Sequence, residues 1–119
     1  MKYKILKKDP MFRNDKDLFQ LGRRDGNTKR NFLFLSKWIG KHLECKPSDF
    51  TKIVTELSKK INTDSLQNAM CIGFAETATG IGMAIADQLM LPYISTTREI
   101  YAEEHITFTE DHSHAKDHF

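Results

Sequence analysis

Several of the features that would mark a specialised class are missing from this chain. Its two cysteines, Cys45 and Cys71, stand in neither a metal-binding nor a redox spacing, which fits a reducing compartment. No apolar run approaches the roughly 20 residues that a membrane-spanning helix needs. The Lys-rich start is not followed by the apolar stretch of a signal peptide. The expectation is therefore a cytoplasmic protein with no membrane partner. Charge of neither sign dominates: 18 Lys and Arg face 16 Asp and Glu, a net +2. That balance requires neither nucleic acid nor a membrane as partner. No Lys-Ser or Lys-Thr follows the central glycines, so the Walker phosphate loop is absent. Gly80-Ile81-Gly82 also lacks the third glycine of the dinucleotide fingerprint, because position 85 is Ile85. Repeats and low-complexity segments are absent too.

The 119 residues allow one domain with a small core, burying roughly two-thirds of the unfolded surface. Charge is uneven along the chain. Residues 1–60 are rich in Lys and Arg, and 99–117 in Glu, Asp and His, which reads as two solvated faces.

The stretch from Cys71 to Ile94 is the most informative. An apolar run, Ala69 to Ala75, predicts a buried strand. A small turn bearing hydroxyls and glycines follows, Thr77-Ala-Thr-Gly-Ile-Gly82. A helix is predicted to open near Gly82 and to stop before Pro92, and a second strand covers Tyr93 to Thr97. This is a βαβ unit with a tight loop at the carboxyl end of its first strand. Ligands bind there in open α/β sheets, and the bare N–H groups of a new helix favour an anion. Glycine lets the backbone approach a phosphate, and hydroxyls add donors. Thr77, Thr79, Gly80 and Gly82 meet those needs, although a tight strand-to-helix turn needs the same residues.

Elsewhere the pattern is plainer. Lys2 to Lys8 alternates with Tyr3, Ile5 and Leu6 and predicts a short edge strand, broken at Asp9-Pro10. Residues 11–29 are polar around Leu18, Phe19 and Leu21, with turns at Gly22 and Asp25-Gly26-Asn27. Phe32, Leu35, Ile39 and Leu43 form one stripe flanked by Trp38 and predict a helix over Lys29–Leu43, closed by Pro47. Phe50, Ile53, Val54, Leu57 and Ile61 predict a second helix over Asp49–Ile61, with Ser48 as N-cap. Asn62 to Ser65 is a linker. Ile106 and Phe108 alternate with threonines and predict a further strand, and Glu110 to Phe119 form a polar tail.

Three other groups carry possible chemistry. His112, His114 and His118 lie among Glu110, Asp111 and Asp117. They read as a solvated loop, as acid–base or phosphate contacts, or as a metal site. Arg98-Glu99 ends the second strand on the ligand side, where an arginine pairs with phosphate oxygens or forms a strand-end ion pair. Arg23-Arg24 and Lys29-Arg30 have no interleaved aromatics and read as solvated, so no nucleic-acid partner is expected.

Four ordered blocks resemble one family: Lys29 to His42, Gly73 to Gly82, Ser95-Thr-Thr-Arg-Glu99 and Phe108 to His114. Together they are similar to phosphoribosyltransferase-like proteins found with bacterial tellurium-resistance stress genes. The resemblance implies a type I phosphoribosyltransferase fold, a Rossmann-like three-layer α/β/α parallel sheet, here partial and incomplete at its C-terminal side. It implies transfer of ribose 5-phosphate from phosphoribosyl pyrophosphate to a nitrogen base, with Mg2+. On this likeness Glu76, Thr77, Ala78, Thr79, Gly80, Ile81 and Gly82 contact the pyrophosphate. Arg98 begins a flexible catalytic loop over Phe108 to His118 and, with His112 or His114, neutralises developing charge. No protein ligand to a metal is assigned.

The paired acids and Thr/Gly-rich 5-phosphate loop of such enzymes have no counterpart here. The chain is thus expected to be the N-terminal portion of such a protein, with an extension at 1–28, an α/β core at 29–99 and a flexible loop and tail at 100–119. Alone it is expected to be inactive. The partners expected are phosphoribosyl pyrophosphate, or another phosphate-bearing small molecule, and a second copy in a homodimer. The alternatives are a non-catalytic fragment that binds an anion or pairs with another chain, and a metal module on His112, His114 and His118.

Overall fold

The computed structural model of the chain describes residues 3–12, 14–26, 31–109 and 117–119. They fall into two compact units, 1–50 and 51–119.

In the first unit the chain forms an antiparallel hairpin, β1 (Phe19–Arg23) and β2 (Phe32–Ser36), with Phe19 opposite Ser36 and Arg23 opposite Phe32. This corrects the helix expected over 29–43. Phe32, Leu35 and Ile39 match a helical period by coincidence, because Phe32-Leu-Phe-Leu35 is apolar at every position and hides the period of two. Aromatic residues instead favour a pleated surface. Gly22, expected in a turn, lies inside β1 against Leu35. The expected edge strand at 2–8 is not formed among the described residues 3–8. Tyr3 instead lays its ring against Phe19 and Phe34, at centroid distances of 5.5 and 6.2 Å, and its hydroxyl donates to Asp15. Among the described residues of this unit Phe12 is buried, and it packs edge-on to Trp38, whose indole N–H donates to the Asp17 carbonyl at 2.7 Å.

Helix α1 runs from Pro47 to Ser58. Pro47 opens it rather than closing the segment before it. Proline suits the first helical position, where its missing N–H has no intrahelical acceptor anyway. Ser48, expected as the N-cap, therefore lies inside the helix. The helix ends before Ile61 because Lys60 and Ile61 turn back onto Leu57 and Ser58 through i→i−3 bonds. Asn62 then caps a single 3-10 turn, Thr63–Ser65, by accepting from the Asp64 amide at 3.0 Å.

The second unit contains the expected βαβ arrangement. β3 (Cys71–Gly73) and β4 (Tyr93–Ser95) are parallel, with Ile72 opposite Ile94, and α2 (Thr77–Leu89) packs on both. Both strands are shorter than the apolar runs suggested. β3 is covered on one face only: Gly73 is buried towards α2, while Ile72 and Ile94 are exposed on the other face. The largest correction is the start of α2. It opens at Thr77, so the segment read as a turn, 77–82, forms its first turns. The connecting loop is Phe74–Glu76, and its Ala75–Glu76 peptide is cis. Among the described residues of this unit Ile53, Val54 and Ala86 are buried, and Gln88 of α2 donates to Thr55 of α1 at 2.9 Å. Two short strands, β5 (Phe108–Thr109) and β6 (Asp117–His118), pair antiparallel.

Candidate functional site

Two glycines set how closely α2 approaches the sheet. A Cβ on Gly82 would lie 3.1 Å from the Tyr93 ring and 3.2 Å from the Gly73 Cα. One on Gly73 would lie 2.8 Å from the Ala78 carbonyl oxygen and would strike the Tyr93 hydroxyl. Glycine is thus required at Gly73, and at Gly82 a Cβ would need its neighbours to give by a few tenths of an ångström. Tyr93 thus lies across the join of strand and helix, and its hydroxyl donates to the Thr79 carbonyl at 2.7 Å. Partial burial, and secondarily the thiol of Cys71, holds this phenol above its ordinary value. It therefore stays protonated, as a donor must.

The loop Phe74–Glu76 is fixed from the segment that follows β4. The Ala75 amide donates to the hydroxyl of Thr96 at 2.9 Å, and the Thr96 amide donates to the Gly73 carbonyl at 3.0 Å. Thr96 is itself buried. The Arg98 guanidinium donates through Nη2 to the Ala75 carbonyl at 3.2 Å. The structure therefore brings Arg98 to the residue next to Glu76, as its place after β4 suggested. The Phe74 ring meets Phe108 edge-on at 5.3 Å, so the segment leading to the β5–β6 pair reaches this loop.

The amides of Ala78 and Thr79 bond back to the carbonyls of Phe74 (3.0 Å) and Glu76 (3.3 Å). Those two donors, counted on from sequence, are used within the chain. Exposed Thr77 occupies the first helical position, and Glu76 at the cap makes no side-chain bond to the helix end. Gly80 is open: nothing lies within 4 Å of where its Cβ would be. Gly82, by contrast, is buried under Tyr93, and Ile81 is half-buried. The accessible part of the predicted segment is thus Glu76, Thr77 and Gly80, on the positive end of a 13-residue helix. His112 and His114 lie outside the described residues, as does the side chain of His118. Among the described residues, no three His, Cys, Asp or Glu side chains gather to hold a metal ion. No helix among them is long and apolar enough to cross a membrane.

A strand, a pinned loop and an exposed helix start thus meet at the carboxyl end of β3. A family model described as "Phosphoribosyl transferase" matches residues 18–119. The chain belongs to the phosphoribosyl transferase family. No curated protein and no solved structure matches it. In this member of the family the match takes in the hairpin, the βαβ unit and the β5–β6 pair. Thr96 and Tyr93, which hold the loop and the helix start, were not singled out from sequence. The available signal for Thr96 was the hydroxyl-rich run Ser95-Thr-Thr97 directly after a strand facing the same end as the loop.

Proposed function

We propose that the loop Phe74–Glu76 and the start of α2 hold the pyrophosphate of phosphoribosyl pyrophosphate, and that the protein acts in transfer of ribose 5-phosphate to a nitrogen base. The observation that carries this reading is the double pinning of Ala75, through its amide by Thr96 and through its carbonyl by Arg98, beside the exposed start of α2 at Thr77. A rigid loop costs little to order when an anion arrives. Thr77 supplies a hydroxyl, Gly80 leaves room, and Arg98 supplies positive charge at the loop. In the complete fold we place β3 and β4 in a three-layer α/β/α sheet. Glu76 through Gly82 then form the pyrophosphate segment, with Ile81 and Gly82 setting its packing. Arg98, His112 and His114 neutralise charge on the leaving group.

A magnesium ion in such chemistry is held largely by substrate phosphates and water, with one or two carboxylates. Glu76 is the carboxylate of the loop, and the described residues offer no closed cage. The ion would supply charge to the diphosphate oxygens when bound with the substrate.

Calorimetry tests the reading. A Cβ at Gly80 meets nothing within 4 Å, so Gly80→Asp has room at its root while placing a carboxylate beside the anion, and circular dichroism checks that the variant is folded. Binding of phosphoribosyl pyrophosphate and of inorganic pyrophosphate should both be lost. Unchanged affinity in a folded variant would count decisively against the site.

A second reading, assembly with another copy through the sheet, is supported by the uncovered Ile72 and Ile94 on neighbouring strands. Sedimentation distinguishes it: a dimer at low micromolar concentration that Ile94→Lys dissociates supports pairing, and a monomer at all concentrations removes it.

A further inference from the structure

We propose that the aromatic face of the β1–β2 hairpin binds single-stranded nucleic acid, independently of the phosphate site on α2. Read as a helix, residues 29–43 leave the basic pairs without interleaved aromatics. In the strand register Arg23 of the first pair stands opposite Phe32, while Lys29-Arg30 lies outside the described residues. Phe19, Leu21 and Arg23 of β1 lie opposite Ser36, Phe34 and Phe32 of β2, so three phenyl rings and a guanidinium share one face. Phe34 is central, with its centroid 4.9 Å from Phe19 and 5.8 Å from Phe32, both edge-on, and it remains 52% exposed. Tyr3 extends the cluster, its ring held in place by Asp15.

Charge decides the occupant. Residues 1–50 hold 13 Lys and Arg against 6 Asp and Glu, a net +7, whereas residues 51–119 hold 5 against 10, a net −5. Arg23 shares the aromatic face by register, and further cations lie on the adjoining segments. Exposed Lys4, Lys7 and Lys8 lie on the segment that carries Tyr3, exposed Lys37 follows Ser36, and Arg23 ends β1. Among the described residues Arg23 pairs with the similarly exposed Asp25 at 3.4 Å, a contact that water screens heavily. Flat apolar rings bordered by cations match a polyanion with accessible flat faces. A single strand has such faces, whereas a duplex keeps its bases stacked inside.

The test uses the full chain and a fluorescently labelled oligothymidylate, read by anisotropy. Binding at low salt should weaken as salt rises. Phe34→Ala should weaken it about tenfold and Phe34→Tyr should retain it. Because Phe34→Ala disturbs the hairpin packing, Lys4→Glu with Lys7→Glu, on exposed chain outside the strands, gives a second and independent loss. Unlabelled duplex should compete poorly, and pyrophosphate should not compete. The proposal is overturned by no binding at low salt, by full affinity in the Phe34→Ala and lysine variants, or by displacement with pyrophosphate, which would move the contact to α2. Equal binding of polyglutamate, unaffected by Phe34→Ala, would also overturn it and would assign the basic unit to an acidic polypeptide such as residues 51–119 of a second copy.

Discussion

Tyr93 and Gly73 compete for one space: a Cβ built on the glycine runs into the phenol hydroxyl and lies 2.8 Å from the Ala78 carbonyl oxygen. Gly73→Ala must therefore push α2 off the sheet or displace Tyr93 from Thr79. Overpacking of this kind costs about 1–3 kcal/mol, and more where backbone is the obstacle. Gly80→Ala is the opposite case. Its Cβ meets nothing within 4 Å inside a helix, where alanine is favoured over glycine by about 1 kcal/mol. Thermal or urea denaturation should show Gly73→Ala strongly destabilised and Gly80→Ala stabilised.

The phenol of Tyr93 makes stability depend on pH at the alkaline end. Partial burial raises its pKa above the ordinary value of about 10. The protonated form is thus favoured in the folded state. That contribution is complete below the unfolded-state value and is lost as pH rises through the raised folded value. Tyr93→Phe also deletes the bond to Thr79, at a cost of about 1 kcal/mol near neutrality. The fall in stability above pH ~10 should be shallower in Tyr93→Phe than in the parent.

Thr96 offers a test of the loop itself. Thr96→Val keeps the shape but removes the acceptor for the Ala75 amide, leaving a part-buried donor unpaired. The expected loss is about 1–3 kcal/mol of stability. Thr96→Ser should recover most of it by restoring the hydroxyl. Hydrogen exchange at the Ala75 amide is the direct readout: fast in the valine variant, slow in the parent and the serine variant.

The residues explain why some of this fold was legible and some was not. The βαβ unit could be read because two short apolar runs flank a helix-length segment that ends ahead of Pro92. The start of α2 could not. Thr77, Thr79 and Gly80 are poor helix formers individually, and what holds them helical is Tyr93, 14 residues away from Thr79, along with the close fit at Gly82. The hairpin failed for a related reason: a strand that is apolar on both faces carries no alternation, and its partner Phe19–Arg23 is visible only once paired. In the candidate site, Arg98 was legible from its place after a strand. The use of the Ala78 and Thr79 amides by Phe74 and Glu76 was not, because backbone bonding in a loop depends on its path.

Met90 closes α2 in a conformation that its side chain does not favour. It sits in the left-handed region at φ 54, ψ 40, with its amide bonded to Asp87 and the Leu91 amide bonded to Ala86 at 2.9 Å. This is a Schellman ending, and the left-handed position is one that glycine usually occupies. The Met90 side chain is 92% exposed, so little packing is lost when it is removed. An L residue costs about 1–2 kcal/mol there. Glycine removes that cost but returns part of it through the greater freedom of the unfolded chain. Met90→Gly should therefore gain about 0.5–1 kcal/mol. Met90→Val, β-branched in the same conformation, should lose stability instead. If the two variants melt at the same temperature, the left-handed ending of α2 is not what the residue at 90 senses.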